Sequence, residues 1–366
     1  MTRHIPLFLP AGDRVHALKH CRPLPCSMLF SNLVYKTKIT EDMKQKKQKI
    51  TFLSWLGLQA SELRDAGKFS TARNYRRALS SFAAFSASYY GPGGEYRDYP
   101  AGMPDWPDES TIRKYSTWLQ RRGVVRNTVS FYMRILRSAY NKAADSGIVI
   151  QQHPFSHVYT GVDKTRKRAV GEDIIVRLQS LDLAGKPSLA LARDMFIFSY
   201  CTRGMAFLDM AFLKKHDIYG DTISYSRKKT GQRMYVHIEK CVRTILDRYC
   251  GSDSEFIFPV IRSSEPEAAF REYQSSLGYY NRNLKVLSSL SGSDVRLSSY
   301  IARHSWASNA RKYNIPLSII SAGMGHDSEK TTMIYLASLD NSEIDNANRK
   351  IVSRIENLGS AGETAH

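Results

Sequence analysis

Four runs of helical periodicity, each closed by glycine, fill residues 50–150, and one segment of period two follows later in the chain. That pattern restricts the chain to a mainly α fold with a small β-sheet. In ITFLSWLGLQASELRDAG the apolar residues at 52, 53, 56, 58 and 63 recur with helical spacing, and Gly67 ends the run. STARNYRRALSSFAAFSASYY opens at Ser70 or Thr71 and stops at the Gly-Pro-Gly-Gly loop 91–94. DESTIRKYSTWLQRRG closes on Gly123, and RNTVSFYMRILRSAYNKAADSG on Gly147. These segments predict a four-helix bundle within residues 49–160.

The basic stretch GVDKTRKRAV, residues 161–170, reads as a linker to a second domain over 171–358, with 359–366 as a tail. In that domain LARDMFIFSYC and MAFLDMAFLKK read as two helices parted at Arg203-Gly204. DTISYSRKKTGQRMYVHIE then switches to period two, with Ile223 and Tyr225 on one limb and Met234, Val236 and Ile238 on the other. It predicts a β-hairpin with Lys-Lys-Thr-Gly at its tip. Helices follow to the end. Residues 1–48 are read as a disordered extension, with Met28 and Met43 as alternative starts, and take no part in the fold reading.

Lys and Arg number 53 against 34 Asp and Glu, a formal charge of +19. Such an excess adds self-repulsion and nothing to the fold, so it points to a polyanionic partner, nucleic acid before a membrane surface. No apolar run approaches the roughly 18–20 residues that span a bilayer. The cysteines are five and scattered, and only Cys21 and Cys26, beside His16 and His20, suggest half of a zinc site. No second pair follows at the needed spacing, so neither metal nor cofactor is expected and the thiols read as reduced and buried, in a cytoplasmic, nucleoid-associated protein. In the bundle Arg73, Arg76, Arg77, Arg113, Lys114, Arg126 and Arg134 fall at helix starts or along one side, interleaved with Asn74, Tyr75, Asn127 and Thr128. With Lys164 and Arg166 of the linker, they read either as a solvated face or as contacts to phosphates.

RLSSYIARHSWASNARKYN reads as a helix capped near Ser298 or Ser299, with Tyr300 and Arg303 three apart on one face among Ile301, Ala302, Trp306 and Ala307. An arginine in such surroundings needs an anion, either a carboxylate or a phosphate. Further on, GHDSEKTTMIYL sets Gly325-His326 at a helix entrance, where Asp327 and Ser328 can cap, and places Tyr335 nine residues after the histidine.

Arg303, His326 and Tyr335 in this spacing resemble the tyrosine recombinase, or phage integrase, family. Its box runs His-x-x-Arg-His, Leu-Gly-His, Thr-x-x-Tyr, and YIARHSWA and GMGHDSEKTTMIYL correspond. The resemblance implies an N-terminal SAM-like core-binding domain and a C-terminal mixed α/β catalytic domain. It makes Lys229 of KKTG the hairpin lysine. Two positions depart from the pattern. Tyr300 stands where the family has histidine. Counted back from Asp209, the first arginine's usual place is Ala206, and Arg203 lies one helical turn earlier.

What the resemblance implies is metal-free strand transfer. Arg203 and Arg303 would clamp the scissile phosphate, His326 and Tyr300 would add hydrogen bonds, and Asp209 and His304 would support them. Tyr335 would be the nucleophile of a 3′-phosphotyrosyl intermediate, and Lys229 the acid for the leaving 5′-oxygen. The tail stripe Ile344, Ile351, Ile355 and Leu358 would form a helix exchanged between protomers of a tetramer on double-stranded DNA, both domains facing the duplex. The reaction would be that of an integrase or an invertase. Two other readings share the scaffold: a DNA-binding accessory or regulatory protein without cleavage, and a type IB topoisomerase.

Overall fold

In the computed structural model, residues 50–91, 103–163, 169–251, 253–326 and 328–335 are described. Outside them lie the N-terminal extension with Cys21 and Cys26, the linker residues Lys164 and Arg166, Asp327 and the tail stripe. The chain divides into two compact units, one of residues up to Ser61 with Arg73–Thr160, the other of Glu62–Ala72 with residues from Gly161 on. The fold is mainly helical with a small sheet, as the periodicity requires.

The first unit is built from four helices, α1 (Phe52–Asp65), α2 (Phe69–Tyr90), α3 (Glu109–Arg121) and α4 (Arg126–Asp145). Gly67, Gly91, Gly123 and Gly147 follow them with φ between 70° and 89°, the left-handed conformation that ends a helix without a Cβ clash. Asp108 caps α3, its carboxylate accepting from the Thr111 N–H at 2.7 Å. The core is aromatic: Phe82 meets the Tyr115 ring edge-on at 5.0 Å, and Phe52 lies between Phe82 and Tyr140. Each such ring taken from water contributes about 1.5–3 kcal/mol. Polar tips are satisfied as well, the Trp55 indole donating to the Ala139 carbonyl at 2.8 Å. Tyr75 belongs to this core rather than to a phosphate-facing surface. It is buried, with its hydroxyl 3.1 Å from Ser138 Oγ.

The second unit packs α5 (Glu172–Gln179), α6 (Pro187–Cys201), α7 (Phe207–Ala211), α8 (Lys240–Tyr249) and α9 (Pro266–Leu290) with a three-stranded antiparallel sheet. Its strands are β1 (Ile218–Tyr219), β2 (Thr222–Ser226) and β3 (Arg233–His237), and β2–β3 is the expected hairpin, Tyr225 opposite Met234. Ile223, Tyr225, Met234, Val236 and Ile238 all face the core. The helix read through MAFLDMAFLKK is corrected: α7 ends at Ala211. Beyond it Lys214 pairs with Phe256 in an antiparallel bridge, and the Ile257 N–H donates to the Leu213 carbonyl at 2.9 Å. A distant segment thus takes the backbone groups that a longer helix would have used. Three further helices, α10 (Ile301–Lys312), α11 (Leu317–Met324) and α12 (Glu329–Tyr335), close the unit. Cys201, Cys241 and Cys250 are free and half-buried, less enclosed than the sequence reading had them.

Candidate active site

The site begins where α6 stops. Thr202 closes the helix with an N–H bond to the Phe198 carbonyl, and the Gly204 N–H reaches back to Ser199 at 2.8 Å. This tight return puts Arg203 at φ 61° and Gly204 at φ 75°. Left-handed backbone costs a non-glycine residue on the order of 1 kcal/mol or more, and such strain gathers at working sites. Gly204 has no substitute, because a Cβ there would lie 2.7–2.9 Å from Cγ, Cα and Cβ of Arg303. The Arg203 side chain runs past Gly323 and donates from Nη1 to the Tyr235 carbonyl of β3 at 3.3 Å. The turn that carries the displaced arginine therefore packs against Arg303 through Gly204, as only glycine permits.

Arg303, on the first turn of α10, is 5% exposed. Its Nη1 donates to the Gly204 carbonyl at 2.8 Å, and Nη2 to the Met324 carbonyl at 2.6 Å. Nη2 also meets His326 Nε2 at 2.9 Å. A guanidinium only donates, so Nε2 accepts here and the proton of the neutral ring sits on Nδ1. That nitrogen bonds Thr332 Oγ1 of α12 at 2.9 Å. His326 is thus fixed between α10 and α12, with Nε2 as the acceptor in this arrangement. Gly325, at φ 64°, makes the turn that brings the histidine round. Ser328 Oγ, 3.4 Å from the Thr331 N–H, caps α12. Tyr335 lies on that helix, one turn beyond Thr332.

Two expected placements differ. Tyr300 is 56% exposed where Arg303 is buried. The helix starts at Ile301, with Tyr300 at its cap position, because the preceding turn is tied to α9 by the Ser299 N–H on Asn281 Oδ1 at 2.9 Å. Its ring lies beside buried His304, centroids 6.1 Å apart. The second correction concerns Asp209. Its carboxylate braces the hairpin instead of Arg203 or His326: Oδ1 accepts from the Lys228 N–H at 2.8 Å, and Oδ2 lies 3.9 Å from Arg227 Nε. Burial raises the Asp209 pKa, against the pull of the Lys228 N–H and the Arg227 and Arg303 charges. Lys229 is exposed in the turn, while the Lys228 ammonium sits 4.8 Å over the Phe212 ring.

Arg227 was missed. It is 9% exposed, and its Nη1 donates to the Gly325 carbonyl. Strand alternation carried its signal, since Ile223, Tyr225 and Arg227 occupy one inward face and the third is a cation.

In the helical unit Arg73, Arg76 and Arg77 of α2 and Thr128 and Tyr132 of α4 line an open groove of about 820 Å³. Arg126 lies outside this lining and stacks its guanidinium 3.9 Å from the Tyr159 ring centre. Arg134 is exposed. Arg113 pairs with Glu109 at 3.5 Å and Lys114 sits over Tyr89.

The family model for the phage integrase SAM-like domain matches residues 51–159, and that for the phage integrase family matches 196–342. No curated protein matches the sequence. Among solved structures, a lambda integrase dimer bound to a COC′ core site superposes with a TM-score of 0.54 at 17% identity, covering 82% of this chain and 80% of that one. A lambda integrase tetramer bound to a Holliday junction gives 0.57 at 16% identity, covering 79% and 78%. The Tn1549 transposon integrase in complex with transposon right end DNA gives 0.56 at 13% identity, covering 83% of this chain and all of that one, 100%. At these identities the likeness is one of fold, and the two family models carry the assignment. The chain belongs to the phage integrase family and is a site-specific tyrosine recombinase.

Proposed function

We propose that this recombinase breaks and rejoins double-stranded DNA with Tyr335 as nucleophile and Arg203, Arg303, His326 and Lys229 acting on the scissile phosphate. The observation that carries this reading is the Arg303–His326–Thr332 chain of hydrogen bonds. It joins a buried cation to the helix that bears Tyr335. An arriving phosphate offers Arg303 anionic acceptors with bidentate geometry in place of the neutral carbonyls it now holds. The tyrosine oxygen attacks phosphorus and the bond to O5′ breaks. Its electron pair stays on O5′, which takes a proton from Lys229, while the phenolic proton passes to solvent. Negative charge rises on the nonbridging oxygens, where preplaced cations lower the barrier. The 3′-phosphotyrosyl bond conserves the energy for religation. Tyr300, exposed at the α10 cap, adds a hydroxyl donor to the DNA side.

The working form in this reading is a homotetramer on DNA in which the segment after α12 passes to a neighbouring protomer, as in integration or inversion of a DNA segment. The groove of Arg73, Arg76 and Arg77 supplies phosphate contacts. The test is a nicked suicide duplex: wild type accumulates a covalent protein–DNA adduct, and Tyr335→Phe binds the duplex without forming one. An adduct from the phenylalanine variant defeats the assignment.

A further inference from the structure

The hairpin that carries Lys229 and the turn that carries His326 are fastened by one side chain. Arg227 stands at the root of the hairpin, where its N–H donates to the Gln232 carbonyl and its own carbonyl accepts from the Gly231 N–H, both at 2.8 Å. Its guanidinium leaves the hairpin on one side to donate from Nη1 to the Gly325 carbonyl, and on the other turns Nε toward Asp209 Oδ2. Asp209 in turn holds the Lys228 N–H. The root is seated closely on Gly325: a Cβ on that glycine would lie 2.7 Å from Met234 Sδ, 2.9 Å from Gln232 Oε1 and 3.0 Å from Arg227 Cδ. Gln232 Oε1 is buried there and accepts no hydrogen bond. A buried acceptor left unmatched costs about 1–3 kcal/mol. The close seating of hairpin on turn is thus kept despite an unfavourable contact.

We propose that Arg227 is a positioning residue for strand cleavage: it sets the Lys229 turn against the Gly325–His326 turn, so that protonation of the leaving 5′-oxygen depends on it. This rests on Lys229 being the acid in the reading above. Two features support the assignment beyond simple packing. Arg227 is buried yet meets one backbone carbonyl and a carboxylate at 3.9 Å, a loose pairing for a cation whose desolvation is costly. Arg227 stands on the hairpin itself, and its partner Gly325 belongs to the turn that carries His326, while Asp209 of α7 holds the hairpin through the Lys228 N–H. The separation of hairpin and turn decides whether an ammonium on the hairpin can reach the phosphate held beside His326. A misplacement of about 1 Å at a reacting group costs on the order of 10²-fold in rate.

A substrate whose 5′-bridging oxygen is replaced by sulfur separates positioning of the acid from every other defect, since a thiolate leaves without a proton. Single-turnover cleavage of nicked duplexes with bridging oxygen or sulfur is measured for wild type, Arg227→Met, Arg227→Lys, Lys229→Ala and Arg203→Ala. Arg227→Met keeps most of the side-chain volume and removes both polar contacts. It is expected to cleave the oxygen substrate about 10²-fold slower, the size of a lost general acid, and the sulfur substrate within a few-fold of wild type. Arg227→Lys, which keeps the charge beside Asp209, falls between them on oxygen and serves if the methionine variant does not fold. Arg203→Ala is slow on both substrates. Near-wild-type cleavage of the oxygen substrate by the Arg227 variants overturns the proposal, as does an equal deficit on oxygen and sulfur while Lys229→Ala is rescued. If Lys229→Ala itself is not rescued by sulfur, the assignment of Lys229 fails, and the proposal falls with it for that separate reason.

Discussion

The two units of this chain use arginine in opposite ways. In the helical unit Arg76 and Arg77 extend from α2 into an open groove. In the catalytic unit Arg303 and Arg227 are 5% and 9% exposed and are held by backbone carbonyls of turns. An exposed cation attracts a polyanion wherever it lies, and salt screens it. A buried cation has already lost its water and is fixed in direction, so it acts on one phosphate and little else. In the proposed reading the difference separates affinity from catalysis, and substitution in each unit tests it.

The largest effect belongs to Arg303. Arg303→Ala is expected to slow cleavage by about 10³-fold or more, the scale of a lost oxyanion donor. It also strips partners from the buried Gly204 and Met324 carbonyls, so the melting temperature falls as well. Arg203→Ala sharpens the contrast. The side chain is half-buried and holds one carbonyl at 3.3 Å, so the rate is expected to fall about 10²–10³-fold with stability and duplex binding nearly unchanged. Cleavage at close to the wild-type rate would remove it from the clamp.

Charge reversal in the groove should do the reverse. Replacing Arg73, Arg76 and Arg77 by Glu is expected to weaken duplex binding at low salt. It should also flatten the plot of log affinity against log salt by about 2–3, near 0.9 per lost phosphate contact. Cleavage of saturated complexes and the melting temperature stay close to wild type. An unchanged salt slope would place the DNA elsewhere.

The smallest effect is purely structural. Asp108→Ala removes the cap of α3 and should cost about 1 kcal/mol without touching the chemistry. The Thr111 N–H holds the Asp108 carboxyl below its ordinary range. The cap's contribution is therefore fully present above the unfolded-state pKa and is lost as pH falls through the lower, folded one. Melting curves of wild type and variant should converge toward acid. A difference that persists there would show that the carboxylate is not the source.

What the sequence determined by itself is local and periodic. Four helices with glycine ends, a hairpin of Ile223 and Tyr225 against Met234 and Val236, and the spacing of Arg303, His326 and Tyr335 all follow from residues near one another in the chain. Tertiary structure decided where polar atoms find their partners. The helix after Met205 was cut to five residues because Leu213 and Lys214 pair with a segment some forty residues away. Tyr75, read beside arginines, went inward because Ser138 meets its hydroxyl in the core. Asp209 went to the hairpin rather than to Arg203, and Arg227, whose inward parity was legible, acquired a role only through Gly325. Periodicity says which face of an element is buried. It says nothing about which distant carbonyl or carboxylate waits on the other side, and a buried guanidinium takes its purpose from that partner.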